Sequence, residues 1–130
     1  MVSMWKEFFE GVELYSKLRS APIPMIAIEN PVMHDHAREA LGIIKRHVVQ
    51  PWWFGDKVFK ATGWELIGLP HLSEGDNSLR SMVPRPGTDE HKAWSIIHRM
   101  SPGPERARMR SKTFPGSARA IAEQWGGLLL

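Results

Sequence analysis

The feature that most constrains this chain is an apolar run that ends abruptly in polar residues. Residues 25–28 read Met-Ile-Ala-Ile, follow two closely spaced prolines, and are succeeded at once by Glu29, Asn30 and Pro31. A short apolar run bounded by turn residues predicts a buried strand. In an open α/β sheet, ligands bind at the carboxyl end of such a strand, where Glu29 and Asn30 fall. Two interpretations follow from the residue types: these side chains bind a ligand or move a proton, or they cap a following helix.

Periodic apolar residues predict a helix on each side of that strand. Residues 32–42 predict a short helix that ends at Gly42. Residues 5–19 predict a longer amphipathic helix, because their large apolar residues recur at steps of three and four. These residues are Trp5, Phe8, Phe9, Val12, Tyr15 and Leu18. A helix that leads into a buried strand is half of a doubly wound α/β unit.

The next two segments favour strands. Residues 47–55 and 60–70 are rich in β-branched and aromatic residues, and together they predict a hairpin that turns at 56–59. Pro51 places the first strand at an edge or a bulge. The three consecutive aromatic residues at 52–54 cannot all face one way, so at least one lies near the rim, where it can stack or pack on a neighbour.

The remainder of the chain is richer in loop and basic residues. Residues 71–104 contain many Gly, Pro, Ser, Asp and Asn residues, which predicts a long loop with one short helix at 89–98. Residues 106–113 are basic and polar, and they lead into a predicted turn at 114–116. Ser117 is predicted to cap a last helix over 118–125.

These elements predict the fold class and its organisation. A chain of 130 residues, 42% of them apolar, has the size and composition of one domain. We expect a single α/β domain over residues 1–130: helix, strand, helix, hairpin, long loop and C-terminal helix. The αβ core with its hairpin spans 1–72, a loop-rich insertion spans 73–104, and the basic turn with the last helix spans 105–130.

The positive charge is concentrated near the C-terminus. Six Lys or Arg residues and one acid, Glu105, lie within residues 99–119, a local net charge of +5 in a chain whose net charge is +3. Such a cluster suits a surface that faces phosphates, and a solvated basic face is the alternative. The small-residue turn that enters the last helix is a candidate anion cradle.

Composition also excludes several kinds of site. The chain has no cysteine, so it has no disulfide, no zinc-thiolate site and no cysteine nucleophile. His34 and His36 do not share a helix face, and we predict no metal site from them. No window approaches a membrane span and no leader peptide is evident, so we expect a soluble protein in the cytoplasm that contacts no membrane.

Seven stretches of this sequence together resemble one family. They keep the order and rough spacing of that family's blocks and extend over nearly the whole chain. The stretches are APIP (21–24), IENPVMH (28–34), VQPWWFG (49–55), KATG (60–63), GLP (68–70), RSKTFPG (110–116) and AEQWG (122–126). In these stretches the chain resembles the C-terminal half of the phage and prophage proteins labelled DNA cytosine methyltransferases.

The resemblance implies a partial Rossmann-like sheet of an S-adenosylmethionine-dependent methyltransferase, encoded by a phage or prophage. In cytosine-C5 methyltransferases, a Glu-Asn pair follows a sheet strand, and the Glu holds ring N3 of the flipped cytosine. Glu29 and Asn30 resemble that pair, so the resemblance implies that they are the catalytic residues. A protonated carboxyl group at N3 withdraws electrons and helps a nucleophile to add at C6, while the base is recognised by its Watson–Crick edge.

The resemblance also assigns roles to residues outside that pair. The hairpin sits where such enzymes place a Gln- and Arg-rich strand pair near the target base, with Lys60 in the place of an Arg. Residues implied to line the base pocket are Gln50, Trp53, Phe54, Lys60 and Thr62. Residues implied to bind DNA phosphates are Arg106, Arg108, Arg110 and Lys112, and Pro115, Gly116 and Ser117 resemble the final motif that closes the cofactor pocket.

Two departures from the family limit what the chain is expected to do alone. It starts after the segments that carry the cofactor turn and the Pro-Pro-Cys nucleophile, and it has no cysteine anywhere. A thiolate attack on cytosine therefore cannot come from these residues. We expect the chain to be inactive alone and to bind S-adenosylmethionine only if a second chain completes the site.

Three hypotheses follow. The chain is one half of a split methyltransferase; or it is a non-enzymatic module that binds DNA or a protein, alone or as a homodimer; or it is a remnant without activity. The outer edge of the strand before Glu29 distinguishes the first two. A split enzyme leaves that edge open for a partner strand, and a self-contained module covers it.

Overall fold

A computed structural model describes residues 2–29, 39–42 and 46–129. Their tertiary contacts divide the chain into two compact units. The first unit comprises Met1–Val48 and Thr62–His71, and the second comprises Val49–Ala61 and Leu72–Leu130. Each unit combines two separate stretches of the chain, so neither unit coincides with a segment predicted at 1–72, 73–104 or 105–130. The organisation as a single domain stays a prediction. Both units are described separately below.

The first unit begins with the predicted amphipathic helix, α1 (Val2–Arg19). Tyr15 is buried and packs in a small core with Ile26, Ile28 and Leu41. The predicted apolar stripe is only partly covered, because the side chain of Phe9 is 62% exposed. The helix prediction is thus confirmed, and its apolar stripe is only partly buried.

Among the described residues, the first unit carries a three-stranded sheet. The strands β1 (Ile26–Glu29), β2 (His47–Val49) and β3 (Thr62–Ile67) lie in the order β1-β3-β2. β1 and β3 are antiparallel, with Ile26 opposite Ile67 and Glu29 opposite Trp64. The fold is therefore mixed α/β and the predicted hairpin strands share a sheet. The predicted strand is confirmed, but the prediction that it is buried is wrong, because only Ile28 of its four residues is buried. Among the described strands, β1 lies at an edge of the sheet.

Gly68 allows the backbone that follows β3 to lie close to the backbone of Pro24, which precedes β1. Gly68 follows β3 with φ of +67°, a conformation that residues with a side chain rarely adopt. A Cβ atom there would lie 2.1 Å from the carbonyl oxygen of Pro24. Only glycine fits this approach, so Gly68 helps to set where β1 begins relative to the end of β3.

Most of the helix predicted at 32–42, including His34 and His36, lies outside the described residues, as does Asn30. Residues 39–41 are helical. Gly42 follows them with φ of +83°, as expected for a residue that ends a helix.

The second unit begins with a tight turn where we predicted a strand. Pro51–Phe54 forms a 3-10 turn, with Pro51 in its first position and Gly55 at φ of +96° as its left-handed cap. Pro51 supplies no amide hydrogen for a sheet, and Gly55 reverses the chain. The first hairpin strand therefore ends at Val49, and its prediction over 50–55 is wrong.

Helices supply most of the remaining regular structure of the second unit. A 3-10 turn at Arg80–Met82 precedes α2 (Asp89–Trp94) and α3 (Ile96–Arg99), so the predicted helix at 89–98 is confirmed as two short helices. Thr88 caps α2 by accepting a hydrogen bond from the amide of His91, 3.1 Å away. Residues that form the buried apolar core are Val49, Phe54, Val58, Leu72, Trp94, Ile97, Ala120 and Trp125.

The C-terminal region corrects two predictions. The basic segment is a helix, α4 (Pro104–Ser111), rather than a turn. The last helix, α5, begins at Pro115 and runs to Ala120, then continues as a π-helical turn at Ile121–Trp125 and a 3-10 turn at Gly126–Leu129. Ser117 therefore lies inside the helix and is not its cap. Pro115 starts the helix because its missing amide hydrogen would have no partner there.

Candidate functional site

Glu29, the predicted catalytic carboxylate, lies at the exposed end of β1. Its register partner on β3 is Trp64. Cross-strand partners project from the same face of a sheet, so Glu29 shares a face with Trp64 and Leu66. The side-chain carboxylate of Glu29 forms no hydrogen bond or ion pair with any described residue. Among the described residues this carboxylate is exposed, and Asn30, its predicted companion, lies outside the described ranges.

A groove of about 440 Å³ lies on the same unit. His47 is buried there, and its imidazole stacks on that of His71 with ring centroids 4.3 Å apart and an interplanar angle of 21°. Burial, together with the charge of His71, lowers the pKa of His47. A neutral imidazole stacks and exchanges hydrogen bonds without carrying charge. The residues that line the groove are Arg46, His47, Trp64, Leu66, Leu69 and His71.

The opposite sheet face holds a second carboxylate, which is buried. Glu65 is 8% exposed and accepts a 2.7 Å hydrogen bond from the hydroxyl of Tyr15. Its other oxygen lies 2.9 Å from Nε of Arg19, which also donates to the carbonyl of Leu41 at 2.6 Å. Burial raises the pKa of Tyr15, and the hydrogen bond and negative charge of Glu65 raise it further. This network ties α1 to the sheet, because a buried carboxylate needs donors on both oxygens.

Two of the predicted base-pocket residues, Gln50 and Lys60, are joined by a hydrogen bond in the second unit. The side-chain oxygen of Gln50 accepts a 2.9 Å hydrogen bond from the amide of Lys60. The ammonium group of Lys60 in turn donates to the carbonyl of Lys112. The structure thus brings Gln50, Lys60 and Lys112 together.

The other three predicted pocket residues lie at different places in the fold. Phe54 is buried, and its ring lies 6.2 Å from that of the half-buried Trp53. Thr62 is the first residue of β3 and belongs to the first unit. A shared pocket for these side chains stays a prediction.

The four predicted phosphate-binding residues differ in how much of their charge is already used. Arg108 pairs with Glu105 through contacts of 3.1 and 2.5 Å, and this pairing lowers the pKa of Glu105 and raises that of Arg108. Arg106 is half-buried, and its Nε atom has no hydrogen-bond partner within the described ranges. Arg110 is exposed and forms no ion pair with any described residue. Lys112 is exposed and lies 5.2 Å from the centre of the Phe114 ring.

The predicted cofactor turn is held by contacts within the second unit. The amide of Gly116 donates a 2.9 Å hydrogen bond to the carboxylate of Asp56. A Cβ atom on Gly116 would lie 2.2 Å from the carbonyl oxygen of Phe54, so the helix start presses directly on the 3-10 turn. Pro115 begins the helix and Ser117 is half-buried inside it. These contacts give Gly116 a structural role, and the amide that would cradle an anion is already occupied.

Several residues of the site carry no signal in the sequence. The pairing of His47 with His71, and of Tyr15 with Glu65, joins residues far apart in the chain, so no local spacing indicates either pair. In the part of the chain that the structure describes, no three His, Asp or Glu side chains could hold a metal ion together. The same residues include no helix long and apolar enough to cross a membrane.

Comparison with known proteins assigns no relative. The chain matches no protein-family model, no curated protein and no solved structure.

Proposed function

We propose that this chain is the C-terminal portion of a phage DNA (cytosine) methyltransferase-like protein. It contributes contacts to the target base and to DNA, and it needs a second chain for catalysis. The observation that carries the proposal is the position of Glu29, an exposed carboxylate at the end of an edge strand that is bonded to no described residue. A carboxyl group so placed is able to read the edge of an extruded base.

The edge position of β1 supports a second chain. Within the described ranges, the outer side of β1 pairs with no strand, and α1 packs through Tyr15 onto the face of the sheet. Unpaired strand edges accept further strands readily. In this proposal β1 joins a larger, Rossmann-like sheet whose other strands come from the partner chain.

The chemistry divides between the two chains. Glu29, when protonated, would pair with ring N3 of cytosine, and Asn30 would sit beside it. The nucleophile would come from the partner, because this chain has no cysteine. S-adenosylmethionine would bind only where the partner completes the site, since Gly116 already bonds Asp56.

DNA phosphates are the proposed ligands of the basic region. Arg110 and Lys112 are the leading contributors, because both are exposed and Arg108 is paired with Glu105. Arg106 contributes less because it is half-buried.

Native mass spectrometry on the protein, purified gently from its host cells, tests the proposal. We expect a complex with a second chain of comparable size that carries a cofactor turn and a cysteine, and methyl transfer to DNA by that complex. A single species at the mass of this chain, or at a multiple of it, would remove the split-enzyme function.

A non-enzymatic DNA- or protein-binding module is the second candidate. It is favoured by the contacts of Gln50 with Lys60 and of Gly116 with Asp56, which give predicted site residues structural roles. Titration of a short DNA duplex at several salt concentrations tests the DNA-binding form. Replacing Arg110 and Lys112 with Gln should reduce the slope of log affinity against log salt by about 2, and Arg108→Gln, the matched control, should change it less. An unchanged slope in the double variant would exclude phosphate binding by these residues.

A further inference from the structure

Helix α1 carries an exposed apolar stripe beside its buried face. Leu14 is 59% exposed and Leu18 is 45% exposed. Both lie on one side of the helix with Gly11, because residues three, four and seven apart share a helix face. Tyr15, on the neighbouring side, is buried against the sheet. The stripe of Gly11, Leu14 and Leu18 therefore runs along α1 next to the packed side and is open to solvent in the part of the chain that the structure describes.

Gly11 is a glycine that the described fold does not require. It lies in the middle of α1, where glycine destabilises a helix relative to alanine. Beyond its chain neighbours and the backbone of its own helix, a Cβ atom on Gly11 would lie within 4 Å of no described atom. A missing side chain allows a second helix to approach closely at that point. Gly11 thus marks a place where another helix can pack on α1.

The stripe is complementary to itself when a second α1 lies antiparallel to it. A twofold axis between residues 12 and 13 brings Leu14 of each copy over Gly11 of the other, so a large side chain fills the space left by a missing one. Leu18 then lies beside Glu7 of the second copy. A parallel pair would instead place the two Gly11 residues opposite each other and leave that space empty.

The charges beside the stripe fit the same arrangement. Glu10 and Lys17 lie on its open flank, where they pair within the helix with Lys6 and Glu13 at 3.9 and 2.9 Å. In the antiparallel pair, Glu10 of one copy lies near Lys17 of the other, and symmetry makes this contact twice. A membrane is a poorer occupant, because helices that lie on membranes are rich in Lys and Arg, whereas α1 carries equal numbers of acids and bases. These residues are Lys6, Glu7, Glu10, Glu13, Lys17 and Arg19.

We propose that α1 binds a second copy of this chain as an antiparallel helix pair centred between Gly11 and Leu14. The stripe and the outer edge of β1 are different surfaces, so this dimer is compatible with the second chain of the proposed function. That complex would then contain two copies of each chain.

Sedimentation velocity on the purified full chain over a series of concentrations tests the interface. We expect the mass to rise with concentration from 14.8 kDa, the mass of one chain, to twice that value. Leu14→Glu brings like charges together at the centre of the contact and should weaken association about tenfold or more. Phe9→Glu is the matched control, since Phe9 is 62% exposed but lies on the opposite side of α1, and it should leave association unchanged. Equal effects of the two variants would overturn the inference.

A second variant covers the case in which Leu14→Glu does not fold. Glu7→Leu replaces the charged residue in line with the stripe, beside Leu18 of the second copy, and should tighten association several-fold. Unchanged or weaker association in this variant would also count against the interface.

Cross-linking tests the direction of the two helices. The chain has no cysteine, so Gly11→Cys and Leu14→Cys each carry a single thiol. When the two variants are mixed and oxidised, we expect disulfides between the variants to exceed those within either variant, because Gly11 faces Leu14 only in the antiparallel pair. An excess of each variant joined to itself would overturn the antiparallel arrangement.

The outcomes separate this inference from the proposed function. A wild-type protein that stays a monomer at every concentration would overturn the inference alone, and so would a monomer that floats with phospholipid vesicles. A dimer that carries no second chain in host cells would remove the split-enzyme function and leave this inference standing.

Discussion

The two faces of the small sheet treat a carboxylate in opposite ways. On the face toward α1, Glu65 is buried and bonded to both Tyr15 and Arg19. On the other face, Glu29 is exposed and its carboxylate bonds to no described residue. A buried carboxylate such as Glu65 needs hydrogen-bond donors from the protein, whereas water supplies them to the exposed Glu29. The comparison teaches that the carboxylate available for function is the one that contributes nothing to folding.

The largest expected effect is the loss of Glu65. Glu65→Ala should lower the free energy of unfolding by about 3 kcal/mol, because Tyr15 and Arg19 lose their buried acceptor. This value lies at the lower end for buried ion pairs, since the Arg19 side chain is 34% exposed. Urea denaturation measures it. Glu65→Gln keeps an acceptor for Tyr15 and should lose less. A loss below about 0.5 kcal/mol would show that the network is not structural.

A change at Gly68 disturbs the pairing on which both faces depend. Gly68→Ala combines an unfavourable φ with a clash against the Pro24 carbonyl, so it should cost about 2 kcal/mol or more. Gly42→Ala is the control, because Gly42 also has a positive φ but its Cβ atom would meet no described atom within 4 Å. It should cost about 1 kcal/mol. Thermal unfolding of both variants measures these losses of stability. Equal losses in Gly68→Ala and Gly42→Ala would argue against the close approach of Gly68 to Pro24.

The lowered pKa of His47 should make the free energy of unfolding depend on pH. The pKa of His47 is lowered in the folded protein, so the unfolded chain binds its proton more tightly. Stability is therefore greatest above the unfolded pKa of 6.5 and falls as the pH decreases toward the lowered value. The unfolding temperature should drop between about pH 7.5 and about pH 5.5, and it should drop less in His47→Gln. An equal drop in the two proteins would assign the dependence to other groups.

The smallest expected effect is the loss of Glu29. Glu29→Ala should change the free energy of unfolding by less than about 0.5 kcal/mol, since its carboxylate is exposed and bonded to no described residue. The same variant should weaken binding of the target base if the proposed function is right. A large loss of stability in urea denaturation would make Glu29 structural and abolish the contrast with Glu65.

The local sequence pattern correctly predicted the elements in which apolar residues recur at a regular spacing. The apolar stripe of α1 indicated a helix, and the alternation in 60–70 indicated a strand. The pattern failed at Pro51–Phe54, where aromatic residues suit both a strand and a packed turn, and tertiary contacts chose the turn. It failed again at α4, which has almost no apolar face and is supported by Pro104 at its start and the pair of Glu105 and Arg108.

The sequence by itself determined the chemistry that this chain lacks and the residues it offers. Without cysteine it has no thiolate, its positive charge lies near the C-terminus, and Glu29 directly follows an apolar run. Only the tertiary structure decided which carboxylate is buried, that β1 lies at the edge of the described sheet, and that Trp64, His47 and His71 line one groove. The physical reason is that alternation gives each strand residue a face, while the pairing of distant strands and the docking of a helix decide which face is covered.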